Sequence, residues 1–513
     1  MGKPSNLFAQ QGFYIPKTGK VFFTGDTATI FSNVLNGGKF GVGKNAVVNF
    51  KGKTWENDPL SLVTDESAAG EGVTGIGGII RFLANDTLPQ YLTGGYNAAS
   101  KLGPSFPQLQ IQNKYGVRLL NGTTKVRREL QFSEGHVFLE NNILVVGNGS
   151  PGIISGYDSS RYIVTGHAAG SGLLVRENIR AQNGIVSFPV GSRPHAYTPA
   201  AVRSKVNRGD DYYVTVFDSV KINPFPGASV ADSSVNKTWE IGKRYHPAED
   251  EVEVLLQHLT ADEGSYFAEN RDFSYISQFT GTWDVGTPQS LPAAGSLTTG
   301  TALLNSGLNR RLFSSTISSS SYFTKFAARP QTWVWLSAYR TDYLHAKLYW
   351  TTKPEVDNKY FVVQRRFSNQ ATFSNIGTVA SKAVNGISLN YLDYSIMDNN
   401  GYNGLTYYRL MLISTTGDTR YSNTVVIGYT PGGNQLLIWP NPAPGRFFVG
   451  ITGAASIKTI VIWNVLGQKV REEAVNYRSI MEMHLYLPGT YFVGFVTYSG
   501  QLLESKKLVI QHY

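Results

Sequence analysis

Between Gly12 and Gln182 the apolar residues come in short runs that alternate or fill a strand, and the runs recur at an interval close to twenty residues. Leu109 and Ile111 are echoed twenty-one positions later by Leu130 and Phe132, and Val117 and Leu119 twenty positions later by Val137 and Leu139. Leu144 and Val146 are followed by Ile163, nineteen positions beyond Leu144. Earlier runs (Val21-Phe22-Phe23, Val47 to Phe50, Ile79 to Phe82) fit the same scheme less regularly, and no stretch shows a helical period. A fixed interval of this size, punctuated by Gly and Asn, is what a parallel β-solenoid produces when each coil buries its inner face on the next. The spacing therefore predicts an all-β chain that opens with a solenoid over residues 12–182. An antiparallel β-sandwich is the alternative for that region.

Composition narrows the class. Charged residues are 16% of the 513, against roughly 25% in an average soluble protein, while 53 Gly, 29 Tyr and 27 Phe are abundant. That is the make-up of an extracellular β-protein with a Ser, Thr and Asn surface. The absence of cysteine excludes disulfides, thiolate catalysis and Cys-based zinc sites together. No run approaches the length of a membrane-spanning helix. The balance of 46 basic and 36 acidic residues gives a net charge of +10, which suits an anionic polysaccharide or lipopolysaccharide. The basic residues are scattered rather than clustered, so no nucleic-acid partner is expected. Met1 to Gln11 lacks the apolar core of a signal peptide, and the expectation is a leader truncated or replaced, leaving a short stub.

The texture changes near Gly184. Residues 183–330 read as a β-sandwich whose strands (Tyr212 to Asp218, Lys237 to Ile241, Val252 to Gln257, Phe273 to Phe279) are separated by long polar loops, with Pro288 to Ser321 rich in Ser, Thr and Gly. Residues 331–430 hold about seven short strands, a buried-type Trp350 and the Tyr407-Tyr408-Arg409-Leu410 strand. They resemble a fibronectin type III-like sandwich, a module that usually serves as a spacer.

Chemistry-bearing motifs are sparse. Gly38 to Asn45 nearly spells a phosphate-binding loop, but Asn45 stands where magnesium needs a hydroxyl and a strand follows where a helix is required. Gly70 to Gly75 spells GxGxxG, yet it also precedes a strand. There is no GxSxG or HExxH, and the eight histidines are dispersed. The densest acidic cluster lies between Trp55 and Glu71. Asp58, Asp65 and Glu66 in it are candidate Ca²⁺ ligands, hard oxygens on a loop, against the plainer reading of a solvated loop. No catalytic residue and no other cofactor is assigned. A carboxylate pair for glycoside hydrolysis could be assembled from distant positions.

The last segment, 435–513, is the most specific. An apolar run into Trp439-Pro440-Asn441-Pro442 turns at its prolines and leaves through Gly445. A β-branched strand from Ile457 closes in Val465-Leu466-Gly467, and Leu487-Pro488-Gly489-Thr490-Tyr491 leads a further strand. Lys506-Lys507-Leu508-Val509-Ile510 completes the set, and the whole reads as a small Ig-like β-sandwich. The order of these motifs resembles the type A C-terminal sorting domain carried by type IX secretion cargo of Bacteroidetes. The resemblance implies Sec-dependent passage of the inner membrane and outer-membrane translocation by the type IX translocon and its sorting machinery. It also implies removal of the tail afterwards, and a destination at the cell surface or outside the cell. Pro440, Asn441, Pro442, Gly445, Gly467, Leu487, Pro488, Gly489, Tyr491, Lys506 and Lys507 carry it.

Two functions are compatible with these residues. The first is a non-enzymatic surface protein, adhesive or filament-forming, that self-associates through its stub or an open coil edge at Phe13 to Ile15 and Val21 to Phe23. The second is a secreted polysaccharide-active lyase or glycosidase with its site on the solenoid.

Overall fold

The computed structural model describes residues 12–511 except 68–69, 84–86, 225–226, 231, 285–291, 294, 300–303, 305–306, 330, 342–343, 429–435, 452–456, 477 and 479. The stub before Gly12, to which a strand-donating role was assigned, lies outside the described residues. Of the described residues, 56% are in strands and 4% in helices. It divides into two units, Met1–Arg329 and Pro330–Tyr513.

The first unit begins as a parallel β-solenoid of about seven turns. Its first coil runs through Gly12–Ile15, Lys20–Phe23 and Thr27–Ile30, and its second through Asn33–Asn36, Lys39–Val42 and Val47–Phe50. The third follows with Thr54–Asn57, Leu62–Ser67 and Ile79–Leu83. Every one of these strands pairs parallel with its counterpart one coil away. Alternation along each strand sends one set of side chains inward. Val48, Ile80, Leu109 and Leu130 therefore stack in register, as do Phe50, Phe82, Ile111 and Phe132, and all eight are buried. The aromatic members interlock edge to face, with Phe40 to Trp55 at 4.8 Å and Phe50 to Phe82 at 5.0 Å. At the corners the stacked backbones leave no room for a side chain. A Cβ on Gly38 would lie 2.3 Å from the Gly19 carbonyl oxygen.

Buried polar groups inside the coil satisfy one another across turns. Asn36 Nδ2 donates to Asn57 Oδ1 at 3.1 Å, and Asn57 Nδ2 donates to the Gly94 carbonyl at 3.3 Å.

The twenty-residue echo holds where it was read between Leu109 and Leu130 and between Val117 and Val137, both of which are register pairs. It fails at Ile163. Leu144 pairs with Leu174 instead, and Ile163 lies on the opposite face beside Val137 and Val190. The excursion that carries the short strand Ile153–Ser155 lengthens this coil and breaks the count.

Near Gly184 the strands change direction within one core. Asp210–Asp218 pairs antiparallel with Leu173–Ile179, a solenoid strand, and Lys237–Lys243, Ser321–Ala327 and Ser274–Gln278 continue the same sheet. A second sheet of Val186–Phe188, Ala200–Ser204, Glu251–Leu256 and Asn309–Ser314 completes a sandwich. Its core, with Trp239, Val254 and Phe323, is continuous with that of the coils. The Val190–Gly191 edge is covered too, by a bridge from Gly191 to Tyr197. Among the described residues the downstream coil edges at Leu173–Ile179 and Val190–Gly191 are thus paired, which leaves that end less open to a head-to-tail stack of coils.

The second unit holds two sandwiches. One packs Val334–Arg340, His345–Thr352 and Leu392–Asn399 against a sheet centred on Asn358–Phe367 and Thr406–Ser414, around Trp350, Phe361, Tyr394 and Tyr408. The other packs Leu436–Trp439, Arg446–Ile451 and Ile480–His484 against Lys469–Ala474, Ile457–Asn464, Gly489–Thr497 and Leu502–Ile510. Phe447, Ile460, Met481 and Phe495 lie in its core.

Candidate functional site

On the outer face of the solenoid, a recess of about 480 Å³ opens where the strand Thr123–Glu134 bends. Its first four residues pair with Ile143–Val146, whereas Glu129, Leu130 and Gln131 pair with Ile153–Ser155. Between these partners the chain leaves the sheet as the loop 147–152, which forms one wall of the recess. The bend itself is a bulge. Phe106 pairs with Val126 but Gln108 with Glu129, so Arg127 and Arg128 together oppose Pro107, which has no amide to give the ladder. The bulge aims Arg127 into the interior and leaves Arg128 exposed at the rim.

Side chains beneath the surface hold the walls. Arg127 Nη2 reaches Asp65 Oδ2 at 2.7 Å, and Nη1 donates to the Val63 carbonyl at 3.0 Å. The other oxygen of Asp65 accepts the Gly75 amide at 2.9 Å, and Glu66 Oε1 accepts the Gly77 amide at 3.0 Å. These two carboxylates pin the second wall, residues 73–76. Arg176, buried under the first wall, donates from Nε to the Pro151 carbonyl at 2.8 Å and from Nη2 to that of Gly152 at 3.0 Å. The floor is a register row, Gln108, Glu129 and Ile153, from three adjacent strands. Ser155 Oγ donates to Glu129 Oε1 at 2.5 Å.

The three carboxylates read as Ca²⁺ candidates are therefore not gathered on a loop. Asp65 and Glu66 sit in the strand Leu62–Ser67, and Asp58 caps its own turn by accepting the Leu60 amide at 2.8 Å. Among the described residues no group of three or more His, Asp or Glu side chains is placed to hold a metal ion. Arg128, Glu129 and Arg176 were not singled out by sequence. The available signal was an Arg-Arg-Glu run inside an otherwise alternating strand, where two successive charged residues cannot both face water without a bulge.

Beside the recess runs a polar strip. Thr29, Asn49, Arg81 and Gln110 are in register on successive coils. Arg81 Nη1 donates to Asn49 Oδ1 at 3.2 Å and its Nε to Gln110 Oε1 at 2.5 Å, while Gln110 Nε2 donates to Ser133 Oγ at 2.8 Å.

In the last sandwich the motif residues converge. Asn441 Nδ2 donates to the Lys507 carbonyl at 2.7 Å, and the Val509 amide donates back to Asn441 Oδ1 at 2.9 Å. A further bridge joins Ala443 to Ile510. The proline corner at Pro440 and Pro442 is thus clasped to the Lys506-Lys507 strand. Gly445, at φ 109°, and Gly467, at φ 75°, occupy turn conformations that a Cβ disfavours. Leu487 and Pro488 are exposed ahead of Gly489, and Tyr491 folds back to donate to the Leu487 carbonyl at 2.9 Å. No helix among the described residues is long and apolar enough to cross a membrane.

No curated protein sequence matches the chain. Solved structures with similarity include domains 3 and 4 of rat CD4, at 10% identity over 34% of this chain and 97% of that one, with a TM-score of 0.13. Chicken CNTN1 FN1–FN3 domains match at 11% identity over 50% of this chain and 94% of that one, with a TM-score of 0.17. Dimeric latent PorU from Porphyromonas gingivalis matches at 10% identity over 52% of this chain and 32% of that one, with a TM-score of 0.18. Residues 437–511 match the family model of the secretion system C-terminal sorting domain. With that domain folded and its motif residues clasped together, the chain is a cargo protein of the type IX secretion system, exported to the cell surface or secreted.

Proposed function

We propose that this exported chain is a non-enzymatic surface protein of adhesive type, with the solenoid as the binding element and the sandwich next to the tail as a spacer. The observation that carries the reading is the strip of Thr29, Asn49, Arg81 and Gln110, whose side chains bond to one another along the coil axis. A strip fixed by its own hydrogen bonds on a rigid sheet is preorganised to meet a polar ligand and loses little entropy on binding. The neighbouring recess supports the same reading. Among its described lining residues Glu129 is the one carboxylate, whereas glycoside hydrolysis uses a pair. Retention of the purified full chain on immobilised polysaccharides, with reducing-end assays of the same polymers, tests it. Binding without turnover is expected, and turnover lost on Glu129→Gln would replace this reading with an enzymatic one.

A further inference from the structure

We propose that the recess between the 73–76 and 148–152 walls binds an acidic polysaccharide, with the carboxylate of a sugar unit against Arg128. The proposal rests on the surface-protein reading and names its ligand class.

The lining is two-sided in the way a sugar ring is. Val73, Ile76 and Ile153 are left 38%, 49% and 57% exposed, in a recess otherwise walled by the amides of Gln108, Asn148 and Asn183. Aliphatic side chains suit the C–H faces of a pyranose. Amides, which both donate and accept, suit its hydroxyl edges.

Charge selects among such ligands. Arg128 is exposed at the rim, and no described carboxylate pairs with it. Arg176, under the wall, donates to the carbonyls of Pro151, Gly152 and Ser187 and has no carboxylate partner among the described residues. Burial pushes its pKa down to about 10, so it remains a cation at neutral pH. Glu129 accepts from Ser155, and Arg127 is matched by Asp65 beneath the wall that Glu66 also holds. The three arginines are thus balanced by three carboxylates, and Arg128 is the cation that faces solvent without a described carboxylate partner, placed to meet an anion at the rim. A guanidinium fork matches a carboxylate in two parallel bonds, which a neutral sugar does not offer. The floor row steps from coil to coil by about 4.8 Å, the strand spacing of any sheet, so an extended polymer lying along the coil axis meets a new side chain at each step.

Isothermal titration of the full chain with polygalacturonate and alginate, and with dextran as the neutral control, tests the assignment. The acidic polymers are expected to bind, dextran to bind at least tenfold more weakly, and added salt to reduce the difference. Arg128→Ala is expected to weaken binding by about tenfold or more, the loss of one bond to a charged group, with Arg128→Lys recovering part of it. Ile153→Asp, which places a second carboxylate on the floor, is expected to abolish binding. Both positions are exposed, and unchanged thermal melts confirm that each variant folds. Wild-type affinity in Arg128→Ala and Ile153→Asp overturns the proposal, as does equal affinity for dextran. If Arg81→Ala weakens binding and Arg128→Ala does not, the recess is wrong while the surface reading survives. If the polymers are cleaved and Arg128→Ala still weakens binding, the recess stands and the non-enzymatic reading falls.

Discussion

Arg127 Nη2 lies 2.7 Å from Asp65 Oδ2, and the two side chains are 2% and 0% exposed. Removing one member of such a pair strands the other charge in the interior, at a cost of about 3–5 kcal/mol. Asp65→Ala also releases the Gly75 amide. The expected result is a large loss of stability of the first unit in denaturant melts, with faster hydrogen exchange at Gly75. Asp65→Asn, which keeps an acceptor for that amide, should exchange more slowly than Asp65→Ala. Equal protection at Gly75 in all three proteins would show that Asp65 does not hold the wall.

A second buried network makes the first unit sensitive to acid. His258 accepts at Nδ1 from Lys325 Nζ at 2.9 Å and meets Glu263 Oε1 at 2.9 Å through Nε2, while Arg271 holds the far oxygen of Glu263 at 2.5 Å. Burial, reinforced by the Lys325 charge, pushes His258 down to about 3. Burial likewise pushes Lys325 down to about 7. For His258 the unfolded chain takes up a proton below about 6.5 that the folded chain refuses until about pH 3. Its contribution to stability is therefore complete above 6.5 and lost progressively toward pH 3. For Lys325 the same logic makes stability rise from about pH 7 to 10.5. Thermal melts should show the midpoint of the first unit falling from pH 7 to pH 4. His258→Gln should flatten that fall while costing about 1–3 kcal/mol at neutral pH for each buried group left unpaired. Parallel pH curves for the two proteins would refute the assignment.

Trp439, at the entrance to the tail, is buried against the preceding sandwich. Its ring centre is 5.4 Å from that of Tyr339 and 5.3 Å from that of Tyr349, and Arg446 Nη1 pairs with Asp393 Oδ2 at 2.7 Å across the same junction. Trp439→Ala should cost about 3–5 kcal/mol, the range for a large aromatic removed from a core. Differential scanning calorimetry should then resolve two transitions for the second unit in place of a coupled one. Two separate transitions already present in the wild-type thermogram would mean that the two sandwiches are independent.

Asn441 satisfies two backbone groups of the final strand at once. Asn441→Ala should therefore destabilise the tail by about 0.5–1.5 kcal/mol for each bond lost, since the exposed backbone groups are rehydrated. In a type IX-competent host the variant should accumulate inside the outer membrane, measured by fractionation and immunoblotting. Normal export of a variant whose tail melts early would separate folding of the tail from its recognition.

How much of this was legible depended on whether local alternation survived. Leu109, Ile111, Leu130 and Phe132 could be placed because the register runs without a shift through Gln108–Ile111 and Glu129–Phe132, where a period of two fixes which side faces inward. Ile163 could not, because the excursion through Ile153–Ser155 shifts the coil count without any change in composition. Asp65 read as a loop acid because its neighbours are acidic. Its partner Arg127, more than sixty residues away, and the Gly75 amide make an inward carboxylate tolerable. The bulge opposite Pro107 hid Arg127 and Arg128 in turn, since it breaks the alternation on which the reading depended. In the tail the motif residues were readable because they occupy corners, where Pro and Gly are chosen for backbone shape and not for packing.

The clasp between Asn441 and the Lys507–Val509 backbone joins positions sixty-six and sixty-eight residues apart. The first strand of the tail pairs early, with Arg446–Ile451, but the proline corner that follows it has no clasp until the last strand has been synthesised, and a nascent chain that stops in between carries an incomplete sorting domain. Export that reads the folded tail is thereby coupled to translation having run through the final strand.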